Sequence, residues 1–166
     1  SCSATAMSAP ESFAAVIAAP GFALGVRCTG EEVTGIEFLE PQPERTPGNP
    51  LAAEAVRQLH AYLADPAFQF GLPLRPSGTA FQRRVWEQIA AIPNGQTRSY
   101  GRLAKDLKDA PRAVGQACGA NPFPLVVPCH RVVAADGGLG GFARQGGGFL
   151  LDVKRWLLRH EGCDAG

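Results

Sequence analysis

The sequence predicts an α/β N-terminal domain over residues 1–74, a small sheet plus one helix, followed by a mainly helical C-terminal domain over residues 79–166 that contains a helix-turn-helix. Three observations predict it. The first half consists of short extended runs broken by turn residues, Arg75-Pro76-Ser77-Gly78 reads as a linker, and from Thr79 onward apolar residues recur at helical spacing. The charges divide at the same point. Residues 1–74 hold three basic against eight acidic side chains, a net of −5, whereas residues 75–166 hold thirteen against seven, a net of +6. A chain of 166 residues that is 45% apolar can bury a real core, which excludes disorder. The overall charge of +1 excludes a protein that coats nucleic acid or an anionic membrane by bulk attraction. It leaves open a local basic face, or simply a solvated one.

The elements follow in order. Phe13 to Ala18, Ala23 to Arg27 and Thr34 to Leu39 read as strands, separated by Pro20-Gly21 and by Thr29-Gly30-Glu31-Glu32. Pro41 to Pro50, with four prolines and a glycine, is loop. Leu51 to Ala64 is a helix with Ala55, Leu59, Tyr62 and Leu63 on one face, stopped by Asp65-Pro66, and Phe68 to Leu74 is a further extended piece. Thr79 with Gln82 three residues on forms a capping box. Phe81, Val85, Trp86, Ile89 and Ile92 continue that helix to Pro93-Asn94-Gly95. Ser99 caps a second helix with Leu103, Ala104 and Leu107 inward. Asp109 caps a third, with Pro111 in its first turn and Val114, Ala117 and Cys118 as its apolar face. These two short helices resemble a helix-turn-helix, and Arg98, Arg102, Lys105, Lys108 and Arg112 cluster on them. A last helix from Leu150 to His160 points Leu151, Trp156, Leu157 and Leu158 at a core and ends at Gly162.

Five scattered cysteines, Cys2, Cys28, Cys118, Cys129 and Cys163, make no disulfide framework and point to a reducing compartment. No CxxC pair or zinc-finger spacing appears. The Ala-rich stretch from Ser12 to Leu24 is interrupted by Pro20-Gly21 and reads as strands rather than a secretory leader. No run approaches the ~20 apolar residues of a membrane span. Cys129 stands between Pro128 and His130 after the apolar run Leu125-Val126-Val127. On its own it reads either as a small buried hydrophobe or as a nucleophile. A thiol of pKa ~8.5 is only a few per cent ionised at pH 7, so the second reading needs a base, which His130 can supply across a bend or a water.

Pro128-Cys129-His130-Arg131-Val132-Val133, preceded by Arg112-Ala113-Val114-Gly115 and Asn121-Pro122 and followed by Trp156-Leu157-Leu158-Arg159-His160-Glu161-Gly162, closely resembles the O6-alkylguanine-DNA alkyltransferases. Phe81-Gln82-Arg83-Arg84-Val85-Trp86 and Ser99-Tyr100-Gly101-Arg102-Leu103-Ala104 resemble that family's helices as well. The resemblance covers residues 79 to 162 and implies a ribonuclease-H-like small sheet plus helix for the N-terminal domain. It implies a single-use repair protein, a methylated-DNA-protein-cysteine S-methyltransferase that flips an O6-alkylated guanine from duplex DNA and takes the alkyl group irreversibly. O4-alkylthymine is implied as a second substrate, and approach from the minor groove as the mode of binding.

Residue by residue, the resemblance makes Cys129 the acceptor, His130 its base through a water, and Glu161 the carboxylate that holds the imidazole and favours its charged form. Tyr100 donates toward the leaving guanine, and Asn121 braces the turn around Cys129. Arg112 enters the stack in place of the flipped base, with Ala113, Arg98, Arg102 and Ser99 as further DNA contacts. The backbone carbonyls of Cys129 and Val132 read the base's amino group, and Val132, Phe142, Ala143 and Cys118 line the pocket. Phe142 stands where many members have Tyr. Some members bind zinc through an N-terminal Cys/His set; Cys28 and His60 do not complete one, so no cofactor is expected. The partner expected is duplex DNA carrying alkylated guanine, and the protein is expected to be a cytoplasmic monomer that spans no membrane. The competing readings are a lesion-binding protein that repairs nothing, a helix-turn-helix regulator with a redox thiol, and a cysteine hydrolase that turns over.

Overall fold

The structure, a computed structural model, describes residues 13–134 and 148–163. It divides into two compact units, Ser1–Arg75 and Pro76–Gly166.

In the first unit β1 (Ala15–Ala19), β2 (Phe22–Cys28) and β3 (Val33–Leu39) form an antiparallel sheet in the order β1-β2-β3. Gly21, at φ 86°, makes the tight reversal between β1 and β2 that an L side chain would resist. Residues Phe22 to Val26 of the central strand are all buried, so the sheet is covered on both faces. Helix α1 (Pro50–Ala64) packs against β1 and β2 through Ala52, Ala55, Leu59 and Tyr62. Phe13, Val16, Ala23 and Leu39 form a second apolar cluster. Phe13 can lie close to the strand because position 25 is glycine; a Cβ there would fall 2.7 Å from the ring. Asn49 caps α1, its Oδ1 accepting the Ala52 N–H at 2.8 Å, and Pro50 occupies the first turn, where no N–H is needed.

The segment Phe68 to Leu74, expected as an extended piece, pairs only at Leu74, which bridges to Val33. Gln58 supplies the reason. It is buried on α1, donates to the Gly71 carbonyl at 3.2 Å and accepts the Gly71 N–H at 2.8 Å, so a side chain does the work of a ladder.

In the second unit the capping box of Thr79 and Gln82 opens α2 (Ala80–Ala90). Trp86 is anchored by its Nε1–H to the Ala117 carbonyl at 2.9 Å, and Gly78 at φ 87° passes its ring so closely that a Cβ would lie 2.6 Å away. Helices α3 (Tyr100–Leu107) and α4 (Pro111–Gly119) pack on each other and on α2. Ser99 caps α3 as expected. Asp109 does not cap α4: Ala110 holds that position, and the Asp109 carboxylate instead accepts the Ala110 N–H. Lys108 ends α3 in the left-handed region at φ 59°.

Two short strands, β4 (Arg98–Ser99) and β5 (Val132–Val133), pair in parallel. This ladder had no signal in the hydrophobic pattern, and it sets the entrance of α3 beside the Cys129 segment. Helix α5 (Gly148–His160) buries Val153, Lys154, Leu157 and Leu158. Trp156, expected in the core, is only half-buried and stacks on His160 at 4.7 Å. The helix ends in a Schellman motif: Cys163 N–H reaches the Leu158 carbonyl, Gly162 N–H reaches Arg159, and Gly162 takes φ 83°. That motif holds Glu161 at the helix end. No helix among the described residues is long and apolar enough to cross a membrane.

Candidate active site and nucleic-acid interface

The chain approaches Cys129 through a series of tight turns. Leu125 sits at φ 78°, a left-handed conformation costly for a branched side chain, and the Val127 N–H closes back onto the Phe123 carbonyl at 2.9 Å. Pro128 then occupies the centre of an inverse γ-turn at φ −80°, ψ 69°, with the Cys129 N–H on the Val127 carbonyl at 2.8 Å. Residues Cys129–Arg131 form one turn of 3-10 helix rather than extended strand, so Cys129 and His130 do not point to opposite faces as neighbours in a strand would.

Asn121 braces this path. Its Oδ1 accepts the Phe123 N–H at 2.9 Å, and its Nδ2 donates to the Val127 carbonyl at 2.9 Å and to the Cys129 Sγ at 3.2 Å. The thiol is buried against the Cys118 thiol. That contact and burial hold its pKa well above the ordinary range, while the Asn121 amide and the Lys154 ammonium pull it down. At rest Cys129 is therefore a protonated thiol, and a base is needed to ionise it.

His130 is buried beside it. Its Nε2 lies 2.8 Å from Glu161 Oε2. The same carboxylate takes two guanidinium hydrogen bonds from Arg131, Nε to Oε1 at 2.8 Å and Nη2 to Oε2 at 3.0 Å. A carboxylate so held is an acceptor, so Nε2 carries the ring proton and Nδ1 the lone pair. Burial lowers the His130 pKa more than Glu161 raises it, and the Arg131 and Lys154 charges add to the lowering. Glu161 itself pulls toward the charged imidazole, the direction the resemblance implies, but burial outweighs it and the resting ring is neutral, which is the state a base requires.

Tyr100 is half-buried at the start of α3, and burial raises its pKa well above the usual phenol range, so its hydroxyl remains a proton donor. Val132 is buried. Its carbonyl accepts from Lys154 Nζ at 2.8 Å, and the Cys129 carbonyl accepts from the Val132 N–H. Cys118 lies beside Cys129, whereas Phe142 and Ala143 lie outside the described residues.

The residues expected to meet DNA are on the outside of α3 and α4. Arg112 is exposed in the first turn of α4, with Ala113 half-buried beside it. Arg102 is exposed on α3 and lies 3.4 Å from Asp106; Arg98 is half-buried and hydrogen-bonds Gln96 and the Thr97 carbonyl. The Ser99 hydroxyl is spent on the Arg102 N–H.

Two site residues escaped the sequence reading, Arg131 and Lys154. Lys154 had a signal: it stands with Leu150, Val153, Leu157 and Leu158 at helical spacing, a charge on an apolar stripe. Arg131 had none beyond its place in the motif. Among the described residues no group of three or more His, Cys, Asp and Glu side chains gathers as a metal would need, and Cys28 instead faces Asn49.

Comparison with known proteins places this geometry. The family described as 6-O-methylguanine DNA methyltransferase, DNA binding domain, matches residues 80–163. The methylated-DNA–protein-cysteine methyltransferase of Mycolicibacterium paratuberculosis is 49% identical over 125 residues, covering 72% of this chain and 73% of its own. That of Mycobacterium tuberculosis is 43% identical over 139 residues, covering 80% and 81%. The crystal structure of Mycobacterium tuberculosis OGT in complex with DNA superposes with a TM-score of 0.74 at 38% identity, over 91% of this chain and 94% of that one. By these matches, the first of which runs through the Cys129 turn, Asn121 and Glu161, the chain belongs to the methylated-DNA–protein-cysteine methyltransferase family.

Proposed function

We propose that this protein repairs DNA by moving the alkyl group of O6-alkylguanine onto Cys129 in one irreversible step. The observation that carries the reading is the pairing, in one buried site, of a thiol hydrogen-bonded by Asn121 with a neutral imidazole held by Glu161 at 2.8 Å. The thiol proton passes to His130 Nδ1 through a water, and Glu161 offsets the charge that then appears on the ring. The thiolate attacks the saturated alkyl carbon, the S–C bond forms, the C–O6 bond breaks, and its electron pair stays on the guanine. Tyr100, which keeps its proton, donates to the ring as negative charge develops there. The product is a thioether that nothing in this site hydrolyses, so each chain acts once.

The duplex binds through the α3–α4 pair, used as a helix-turn-helix in the minor groove. Arg112 fills the space of the flipped base, where a planar cation both stacks and hydrogen-bonds. The DNA complex of the Mycobacterium tuberculosis relative supports DNA as the partner. The N-terminal unit, read as a ribonuclease-H-like sheet and helix, serves as support. The test is incubation with duplex DNA carrying radiolabelled O6-methylguanine. We expect one methyl per chain, mapped to Cys129, and none with Cys129→Ser. Sustained turnover or label on Cys118 refutes the mechanism.

A further inference from the structure

Lys154 lies on the buried stripe of α5 with no exposed surface. Its Nζ donates to the Val132 carbonyl at 2.8 Å and lies 5.8 Å from the centre of the Tyr100 ring. Val132 closes the turn that begins at Cys129. A buried ammonium costs several kcal/mol in desolvation, and a methionine would fill the same stretch of an apolar stripe at no such cost. Burial lowers the pKa of Lys154 to about 8, and ionisation of Cys129 or Cys118 raises it again. Coupling between two charges is reciprocal, so the ammonium favours the ionised Cys129 by the same amount.

We propose that Lys154 is a positioning residue for the transfer, its ammonium serving as counter-charge to the Cys129 thiolate while its Val132 tether keeps it in place. The inference rests on the reading of Cys129 as the alkyl acceptor. Moving the thiol proton to His130 creates two charges, positive on the ring and negative on sulfur. Glu161 faces the positive end, and Asn121 and Lys154 serve the negative one. Among the described residues, the other ionisable groups around the site are Tyr100 and Cys118 on the thiol side and Arg131 and Cys163 on the imidazole side. Arg131 and Lys154 both oppose charge on His130. Arg131 is held on Glu161, whereas Lys154 stands where the thiolate returns the benefit.

The test compares wild type with Lys154→Gln and Lys154→Met. Alkylation of Cys129 by iodoacetamide is followed across pH 6 to 11 by peptide mass mapping without DNA, and transfer from the labelled duplex is measured in parallel. Both variants are expected to move the pH midpoint of Cys129 reactivity up by about one unit or more, which lowers the rate at pH 7 about tenfold or more. Gln keeps a donor for the Val132 carbonyl and loses only the charge. A Gln variant with the wild-type midpoint makes Lys154 a mere tether and overturns the proposal; should Met fail to fold, Gln alone decides. Wild type that reacts with iodoacetamide yet takes no label from DNA overturns the functional reading instead, so the two failures are distinguishable.

Discussion

Glu161 is the group on which the buried ionic network depends, and replacing it by glutamine has a calculable consequence. Its side chain is wholly buried and accepts three hydrogen bonds, from His130 at 2.8 Å and from Arg131 at 2.8 and 3.0 Å, while the Arg131 side chain is 12% exposed. Glu161→Gln removes the negative charge and leaves a nearly buried guanidinium with only neutral acceptors, the glutamine amide oxygen and the Ile92 carbonyl at 2.7 Å, among these contacts. Breaking a buried pair from one side costs about 3–5 kcal/mol. With a urea slope of about 2 kcal/mol/M, the midpoint falls by roughly 2 M. Both tryptophans, Trp86 and Trp156, lie in the second unit, so their fluorescence reports the unit that carries the change. The companion is Arg131→Met, alone and combined with Glu161→Gln. Because the cost of each single change is mostly the orphaned partner, the double variant is expected to be more stable than the sum predicts by about 1–3 kcal/mol. A single-variant loss under about 1 kcal/mol, or strict additivity, refutes the claim that the pair is a mutually dependent buried unit.

Two further predictions follow from the same geometry. His130 has a lowered folded-state pKa, so as pH falls below its unfolded value of ~6.5 the unfolded chain takes up a proton that the folded one refuses. Its contribution to stability is full above that value and is lost as pH falls toward the folded pKa. Wild type is therefore expected to lose urea midpoint between pH 7 and 5 more steeply than His130→Asn, and parallel curves contradict this. Gly78→Ala places a Cβ 2.6 Å from the Trp86 ring at φ 87° and is expected to cost about 1–3 kcal/mol of the second unit's stability. A midpoint unchanged by calorimetry shows that the linker relaxes freely.

Much of this protein was legible in the chain because its signals are local. The strands around Gly21, the capping box at Thr79, the Ser99 cap and the stop at Gly162 are written within a few residues of where they act, and the motif from Pro128 to Val133 carries the proposed nucleophile and its proposed base. The misses were local as well where two neighbours compete for one role: Asp109 was the expected cap of α4, yet the chain turns one residue later and Ala110 takes the position. The Phe68 to Leu74 segment, expected as an extended piece, bridges to Val33 only at Leu74, and Gln58 takes both backbone polar groups of Gly71 in place of a ladder.

The element order, the charge split and the Pro128–Val133 motif are thus all legible in the chain. The electrostatics of the site arise only from packing. Arg131 lies next to His130 in the chain, yet its partner is Glu161, 30 residues away. Lys154 reaches Val132 across 22 residues, and β4 meets β5 across more than 30. Local periodicity reports which face of a segment is buried. The field around a buried thiol depends on which charges different segments bring to it, and that is set only when the segments pack.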